Sequence, residues 1–383
     1  MTSEKMFYCA RGNSIPTRMF PCLLSAVSRL VSPQCRQGAS VLVRLEPVCV
    51  HRASNARTNL LATLALLCLM GQPAWGQTLT KLNVVYAAIT GVQAPLWLAA
   101  DTNIFRRYGL DVTLIYIPSA PQVVRVMLAG DSPIALAGGA PVVNANLSGA
   151  ELVFVGGAAN VPAFYLMALP EIFRVEDLRG KTVGITRFGS STDFTMRHVL
   201  KTHGLEPDKD VTVLQLGGMP ELAVALSKRI IVAAPFSSPT NLRARKTGAV
   251  VLVDVAKSGV AFPHSAIVTT RSFLASHRDT TLSFLKAYSE GIQRMLADKP
   301  ATKRAIQKYT RDNDDEILET TYQYAVDYVV RPPYPTRAGI LEALKQSTHP
   351  KAKTANPDDF VDTSLVKSLE ESGFFQQIGM RTR

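Results

Sequence analysis

Four short loops of small and hydroxylated residues are the parts of this sequence best suited to holding a ligand. Each is expected to follow a strand and to precede a helix. Small residues let the backbone approach a ligand closely, while the start of a helix offers unpaired N–H groups and the positive end of the helix dipole. Hydroxyl groups in the last loop would suit a sulfonate, a carboxylate or a similar anion. The loops span residues 88–93, 138–141, 157–160 and 189–193.

Each loop taken alone has a simpler explanation as a short turn between a strand and a helix. Thr192 or Asp193, for example, would then serve only as a helix N-cap. Because the four loops are expected on the same side of the strands, their convergence favours a ligand site. The sequence allows two interpretations for each of two further residues. Arg187 either contacts an anion or is solvated at a strand end, and Phe236 is either an aromatic wall of the site or part of the core.

The elements that position these loops are clearest in a segment that begins at residue 82. Residues 82–86 alternate as in a strand, and Pro95 opens a run with helical periodicity. A second strand is expected at 112–116, after a glycine that ends the helix. This pattern predicts a strand–helix–strand unit with a small-residue loop above the helix N-terminus.

Strands and helices alternate further along the chain, which predicts an α/β fold with mostly parallel, right-handed sheets. Residues 266–270 are expected to form a strand that returns to the first sheet, and the chain beyond it is mainly helical. We therefore expect two α/β lobes and a helical C-terminal cover. Residues 77–169 and 265–383 would form the first lobe, and residues 170–264 the second.

The N-terminal part of the chain has the features of a secretory signal. A basic residue precedes the apolar run 60–70, and a small–x–small triplet follows at 74–76. The run of about 11 residues is shorter than the roughly 20 that span a bilayer. A buried helix is the alternative, which the polar, proline-containing flank disfavours. We expect a signal peptide at 57–76, a mature chain beginning at Gln77, and a non-native extension at 1–56 caused by a translation start placed too far upstream.

The distribution of cysteine and charge fits an exported protein. All five cysteines precede residue 77, so the mature part would need no disulfide machinery. Lipidation at Cys68 is an alternative, although Leu67 stands where a small residue would be wanted. Without the first 76 residues, 42 basic and 30 acidic side chains become 34 and 28, a net charge of +6. This dispersed charge is compatible with small anions and gives little support to nucleic-acid binding.

The sequence carries no pattern typical of an enzyme. It lacks a nucleophile elbow, a phosphate-binding loop and the zinc-binding helix motif. His198 and His203 are spaced off one helical face, and His264 stands alone at the expected crossing between lobes. The acidic run 314–316 opens a predicted helix, where it complements the helix dipole. We therefore expect no metal, no cofactor and no redox or thiol chemistry in the mature chain.

Four segments, 94–100, 104–112, 177–184 and 189–193, carry a more specific pattern. Together they resemble the periplasmic substrate-binding proteins of ABC importers, in the nitrate/sulfonate/taurine-type group related to thiamine-pyrimidine proteins. The Tyr-Gly-Leu-Asp-Val phrase at the end of the second segment is fairly specific, whereas the Asp-Leu-Arg-Gly-Lys turn is common to several groups of binding proteins. The resemblance covers residues 82–344.

This resemblance implies a type II periplasmic binding protein, in which two α/β lobes close over a ligand in the cleft between them. Hinge motion is then expected near Leu169-Pro170 and His264-Ser265. The chain departs from the family at 227–230, where relatives often carry a glycine and an acidic residue, so a relative's ligand does not transfer to it. The implied ligand residues are Thr90, Gly91, Gln93, Gly139, Ala140, Asn160, Ser190, Ser191 and Thr192, to which our own reading of the residues adds Arg187 and Phe236.

We therefore expect a monomeric, periplasmic solute-binding protein, and not an enzyme. It would capture a small anion or small organic ligand, such as a sulfonate, nitrate, taurine or a carboxylate, and deliver it to an ABC permease in the inner membrane. An exported sensor that docks to a receptor is an alternative that the sequence does not separate from transport. An enzyme of the related pyrimidine-synthase type would need a cysteine-rich iron segment, and no cysteine follows Cys68.

Overall fold

The computed structural model describes residues 78–380. The expected extension at 1–56 and the expected signal peptide at 57–76 lie outside the described residues. None of the helices within 78–380 is both long enough and apolar enough to cross a membrane.

The strands of the described part form two five-stranded sheets. We call each sheet with the helices packed on it a lobe. The strands, in chain order, are β1 (Thr80–Tyr86), β2 (Leu110–Tyr116), β3 (Ile134–Ala137), β4 (Leu152–Ala159), β5 (Tyr165–Ala168), β6 (Thr182–Ile185), β7 (Thr212–Gln215), β8 (Ala233–Phe236), β9 (Val250–Asp254) and β10 (Ser265–Thr270).

The two sheets have the same plan. The first has the order β2-β1-β3-β10-β4, and the second β7-β6-β8-β5-β9. In each, one strand enters from the other lobe and runs antiparallel to both of its neighbours: β10 between β3 and β4, and β5 between β8 and β9. The remaining pairs are parallel. The sheets are therefore mixed, and the return of β10 to the first sheet is confirmed.

Helices connect the parallel strands and then cover the first sheet. The α-helices are α1 (Ala94–Asp101), α2 (Ile104–Arg107), α3 (Ala120–Leu128), α4 (Gly139–Leu147), α5 (Ser191–Thr202), α6 (Met219–Ser227), α7 (Thr240–Lys246), α8 (Arg271–Ser276), α9 (Arg278–Ala297), α10 (Lys299–Thr310), α11 (Asp315–Tyr328), α12 (Arg337–Gln346), α13 (Ser364–Glu371) and α14 (Phe374–Gln377). The strand–helix–strand unit predicted from residues 82–116 corresponds to β1, α1, α2 and β2, with β1 and β2 paired in parallel.

The structure corrects the boundary between the lobes. The sequence assigned residues 77–169 to the first lobe, but β5 pairs with β8 and β9 in the second sheet. The chain therefore crosses to the second lobe between β4 and β5, before the expected hinge at Leu169-Pro170. Leu169 itself lies in the core of the second lobe. The local sequence of β5 does not show which sheet the strand joins.

A second correction concerns the third of the small-residue loops. Gly157, Ala158 and Ala159 belong to β4, and the chain then runs through Asn160 to β5 with no helix between. Gly157 is close to the C-terminal cover, because its N–H donates to Pro333 O at 2.8 Å and an added Cβ would lie 2.2 Å from Tyr334 O. Because Gly157 has no side chain, its backbone can pack closely against the backbone at Pro333 and Tyr334.

Helix α9 packs tightly on α1 and holds the C-terminal cover against the first sheet. A Cβ added to Gly291 in α9 would lie 2.3 Å from Pro95 O, so only glycine permits this approach. On α1, the fully buried Trp97 stacks on Tyr309 of α10 with ring centroids 4.8 Å apart. Residues of α9, α10 and α11 thus share one apolar core with the first sheet.

Several polar contacts join the second lobe to the first. Arg243 of α7 donates to Asp312 at 2.7 Å and to Thr310 O at 2.8 Å. Ser238 Oγ lies 2.9 Å from Thr321 Oγ1 of α11. These contacts connect the second lobe's α7, and the segment just before it, to the helical cover, so the two lobes are held together in the arrangement described.

Candidate functional site

A cavity lies between the two sheets, where the carboxyl ends of strands from both lobes meet. Its walls include Ala87 after β1, Gly138 after β3, Thr186 after β6 and Ser237 after β8. The empty volume between the walls is about 590 Å³, part of it open to solvent. Since ligands of open α/β sheets bind at the carboxyl ends of the strands, this is the place where the fold is expected to hold one.

Four helices begin at the walls of this cavity. Their N-cap residues are Ser119 for α3, Gly138 for α4, Ser190 for α5 and Gly218 for α6, and all four line the cavity. The first N–H groups of a helix have no partner within the helix and carry the positive end of its dipole. The starts of α3 and α4 carry no acidic side chain, so their backbone presents positive potential that favours an anion. At α5 and α6, Asp193 and Glu221 in the first turn partly offset the helix dipole.

Three hydroxyl groups form a connected cluster at the start of α5. Thr186 Oγ1 lies 3.0 Å from Ser190 Oγ and 2.8 Å from Thr192 Oγ1, and the last two oxygens are 2.8 Å apart. The backbone holds this cluster in place, because the Thr186 N–H donates to Thr192 Oγ1 at 2.9 Å and the Asp193 N–H donates to Ser190 Oγ at 3.3 Å. Each hydroxyl can rotate toward a ligand, so the cluster offers donors beside the helix N-terminus.

A second polar group comes from the first lobe and from the crossover that leads to β10. Gln93 Nε2 donates to Ser265 Oγ at 3.2 Å, which orients the amide. Gln93 Oε1 and His264 Nδ1 are buried and have no hydrogen-bond partner. The His264 ring meets Phe164 edge-on, with centroids 4.4 Å apart. Gln93, Phe164, His264 and Ser265 all line the cavity, so polar atoms and an aromatic face lie side by side there.

The titratable side chains of the cavity are neutral near pH 7. Burial lowers the pKa of His264 to about 3, so its imidazole is uncharged. Burial, together with the charge of Glu221 and the hydroxyl of Tyr86, raises the pKa of Tyr116 to about 12. Of the described residues that line the cavity, none is Asp, Glu, Lys or Arg. A charged ligand would therefore meet backbone dipoles and neutral hydrogen-bonding groups.

No metal-binding arrangement accompanies the cavity. Within residues 78–380, no group of three or more His, Cys, Asp or Glu side chains is placed to hold a metal ion.

Five of the residues expected to contact a ligand line the cavity, and six do not. The five are brought together from the β1–α1 loop and from the start of α5, on opposite lobes. They are Thr90, Gln93, Ser190, Ser191 and Thr192. The six residues that the structure places elsewhere are Gly91, Gly139, Ala140, Asn160, Arg187 and Phe236.

Three of these six residues make backbone contacts that account for their positions. The Gly91 N–H donates to Ser238 O at 3.0 Å, and an added Cβ would lie 2.7 Å from Thr321 O. The Gly139 N–H donates to Pro263 O at 2.7 Å. Asn160 Nδ2 donates to Tyr334 O at 2.9 Å. These residues join the loops to neighbouring segments around the cavity.

The other three residues lie in the core or on its polar edge. Phe236 is fully buried in the core of the second lobe, so the aromatic wall expected there comes from Phe164 and Tyr116 instead. Ala140 belongs to α4 and is buried in the core on which that helix packs. With the Gln122 amide turned so that its oxygen faces Arg187, the guanidinium donates to that oxygen at 2.7 Å, outside the cavity lining.

Sequence reasoning missed several residues of the cavity. Thr186 and Ser237 directly follow buried strands, and Ser119 precedes a helix that begins with Ala-Pro, so the rule that ligands bind at strand ends and helix starts could have found them. Tyr116 is the last residue of β2, so the same rule could have found it, whereas Phe164, which precedes β5, carries no such signal. The missed residues with polar or aromatic side chains are Tyr116, Ser119, Phe164, Thr186, Ser237, His264 and Ser265.

Comparison with known proteins gives consistent matches. The family model described as NMT1/THI5 like matches residues 91–302, more than half of the chain. A relative named putative binding protein YtlA, from Bacillus subtilis strain 168, is 24% identical over 254 residues, which are 64% of this chain and 76% of the relative.

Two solved structures show the same fold. The alkanesulfonate-binding protein SsuA from Xanthomonas axonopodis pv. citri, bound to MOPS, has a TM-score of 0.63 and 18% identity, covering 74% of this chain and 99% of that one. The periplasmic nitrate-binding protein NrtA from Synechocystis PCC 6803 has a TM-score of 0.62 and 12% identity, covering 80% and 92%. The sequence-based prediction of a periplasmic binding protein fold, with two α/β lobes and a cleft between them, is confirmed.

Proposed function

The chain belongs to the NMT1/THI5-like family, and on that premise we propose that it is an exported solute-binding protein that captures a small anion or small organic ligand between its lobes and delivers it to an ABC permease. The observation that carries this proposal is the meeting of four helix N-termini at one cavity between the lobes. The names of the relatives, which are binding proteins for an alkanesulfonate and for nitrate among others, support the class of ligand.

The chemistry of the walls favours an oxyanion of moderate size. The hydroxyl cluster of Thr186, Ser190 and Thr192 supplies donors, and the helix dipoles supply positive potential without a fixed cation. An oxyanion with several acceptor oxygens, such as a sulfonate, nitrate or a carboxylate, can accept from the hydroxyls and from the first N–H groups of α5 together. The aromatic rings of Phe164 and Tyr116 would cover an organic part of the ligand.

Capture by closure of the lobes follows from where these groups lie. The β1–α1 loop belongs to the first lobe and the hydroxyl cluster to the second, so a ligand touches both only when the lobes are together. Differential contacts of this kind shift a protein toward its closed state. A closed, ligand-loaded protein is the form that a permease would receive. We further propose that residues 57–76 are removed on export and that the protein acts as a monomer in the periplasm.

The test is a binding screen of the purified protein by calorimetry and thermal unfolding. The panel contains alkanesulfonates, nitrate, aliphatic and aromatic carboxylates, and neutral pyrimidines as controls for charge. At least one anion is expected to raise the unfolding temperature and to reduce the radius of gyration measured by X-ray scattering. Replacing Thr192 by Val should weaken that binding, whereas replacing Ser276, which lies on the exposed end of α8, by Ala should leave it unchanged. Absence of any effect from every anion would refute the proposal.

Delivery to a permease needs a separate measurement. Uptake of the bound anion by cells should depend on this protein, and should be lost when the gene for the partner permease is removed. Binding without any dependence of uptake on the protein would instead support the alternative of an exported sensor.

A further inference from the structure

Four buried side-chain atoms of residues that line the cavity have no hydrogen-bond partner: Thr90 Oγ1, Gln93 Oε1, Ser119 Oγ and His264 Nδ1. The two hydroxyls can donate to a ligand, whereas Gln93 Oε1 can only accept, and His264 Nδ1 accepts in the tautomer that is protonated on Nε2. Gln93 is 1% exposed and His264 is 7% exposed, and Gln93 Oε1 and His264 Nδ1 both lack a partner. Buried polar atoms in folded proteins almost always have one. Both residues line the same cavity and are connected through Ser265, which accepts from Gln93 Nε2 and follows His264 in the chain. In that tautomer both atoms need a donor that the described residues do not supply.

The electrostatic surroundings keep His264 in a form that can accept. Burial lowers the pKa of the imidazole to about 3, and of the described residues that line the cavity, Tyr116 is the one other titratable side chain. A neutral imidazole has one ring nitrogen that accepts and one that donates. The Gln93 amide is already committed through its nitrogen to Ser265, which leaves its oxygen to accept.

The cavity is therefore chemically two-sided. At the start of α5, the hydroxyl cluster and the free N–H groups donate. At Gln93 Oε1, and at His264 Nδ1 when the ring proton is on Nε2, the protein accepts. A ligand that carries only acceptor oxygens, such as nitrate or a simple alkanesulfonate, satisfies the first side and displaces from the second any water that could have donated to it.

We propose that His264 and Gln93 determine specificity by accepting a hydrogen bond from the ligand, which is a small acid that also carries an uncharged N–H or O–H group. This inference rests on the proposed function, because it concerns the same cavity. The donor is uncharged because no carboxylate lines the cavity, and an ammonium group buried there would have no anionic partner. A hydroxyl, an amide or a heteroaromatic N–H meets the requirement.

The test compares acids that differ only in the donor. One pair is 2-hydroxyethanesulfonate and propane-1-sulfonate, a second is lactate and 2-methylpropanoate, and 2-aminoethanesulfonate provides the ammonium counterpart. Calorimetry with the purified protein should show that the hydroxylated member of at least one pair binds more tightly by about tenfold or more, because a site built to hydrogen-bond a group rejects the analogue without it. The ammonium compound should bind more weakly than the hydroxyl compound.

Variants assign the preference to the two acceptors. His264→Leu and Gln93→Met remove the acceptors with little change in volume. Each should reduce the ratio of the two affinities within a pair to nearly one. His264→Asn keeps an acceptor close to the position of Nδ1 and should retain most of the preference. A merely structural effect would weaken both members of a pair equally, so the ratio of affinities is the deciding quantity. If one variant does not fold, the other still tests the ratio.

The outcomes separate this inference from the function on which it rests. Equal affinities within both pairs, or a preference that both acceptor-deleting variants retain, would overturn the role of His264 and Gln93 and leave the anion-binding proposal intact. Failure of all five compounds, together with every other anion of the screen, would overturn the proposed function itself.

Discussion

The buried imidazole of His264 predicts a specific loss of stability in acid. Burial lowers its pKa from 6.5 to about 3 in the folded protein. Between these two values the unfolded chain binds a proton that the folded protein does not, so stability falls as the pH decreases. The stability is complete above pH 6.5, and it is lost progressively as the pH falls toward about 3.

The size of the effect follows from the linkage relation. Each pH unit between the two pKa values costs about 1.4 kcal/mol. Between about pH 7 and about pH 4.5, His264 should therefore reduce the free energy of unfolding by about 2–3 kcal/mol. Exposed carboxylates also contribute to acid sensitivity; for example, hydrogen bonds from Lys246 and from the backbone lower the pKa of Asp314. Those contributions are common to the wild-type protein and to a variant at position 264.

The assay compares urea unfolding of the wild-type protein and His264→Asn at both pH values, without ligand. Asparagine does not titrate, so the variant should lose about 2–3 kcal/mol less than the wild type between the two pH values. Asp314→Asn is the matched control, because it removes one exposed carboxylate and leaves the contribution of His264 in place. If wild type and His264→Asn lose the same amount, the imidazole is not buried and neutral in solution, and the argument fails.

Three further changes test the cavity and the contacts between the lobes. Gly138→Ala would place a Cβ 2.0 Å from Ser191 Oγ. We therefore expect X-ray scattering to show lobes held apart, and calorimetry to show anion binding that is weaker by at least about tenfold. Adding Ser191→Gly should partly restore both closure and affinity. Thr192→Val removes the acceptor of the Thr186 N–H and should lower the free energy of urea unfolding by about 1–3 kcal/mol; no change would show that water replaces the hydroxyl. Arg243→Gln breaks the contact with Asp312 between the lobes. We expect the free energy of unfolding to change by less than about 1 kcal/mol, while X-ray scattering shows a larger fraction of open molecules. Arg229→Gln breaks an ion pair with Glu171 and is the control, which should alter neither the open fraction nor anion binding.

The sequence predicted most strands and helices because their patterns are local. Alternation in 82–86 and helical periodicity after Pro95 depend on which face of each element is buried, and both agree with β1 and α1. The sheet to which β5 belongs depends on pairing with β8 and β9, far away in the chain. No local pattern carries that information, and the boundary between the lobes was therefore misplaced.

The same distinction explains which site residues were found. Ser190, Ser191 and Thr192 lie at a strand-to-helix loop, and the rule for such loops identifies them. The same rule selected Gly139 and Asn160, which do not line the cavity. Small or polar residues at strand ends can also allow close packing of neighbouring segments. Contacts with Pro263 and Tyr334 show that this is their role in the structure.

The absence of a charged side chain among the described cavity residues has a consequence for reversible capture. An arginine buried in the cleft would need a counterion whenever the cleft is empty, whereas backbone dipoles and hydroxyls can remain satisfied by water or by each other, as Thr186, Ser190 and Thr192 are. The charge of the ligand would then be the one formal charge in the closed cavity, balanced by the helix N-termini of both lobes. Because α3 and α4 begin on one lobe and α5 and α6 on the other, that balance is complete only on closure. Closure and recognition of the anion are thus the same event, and a variant that holds the lobes apart should lose preference for anions over neutral analogues as well as affinity.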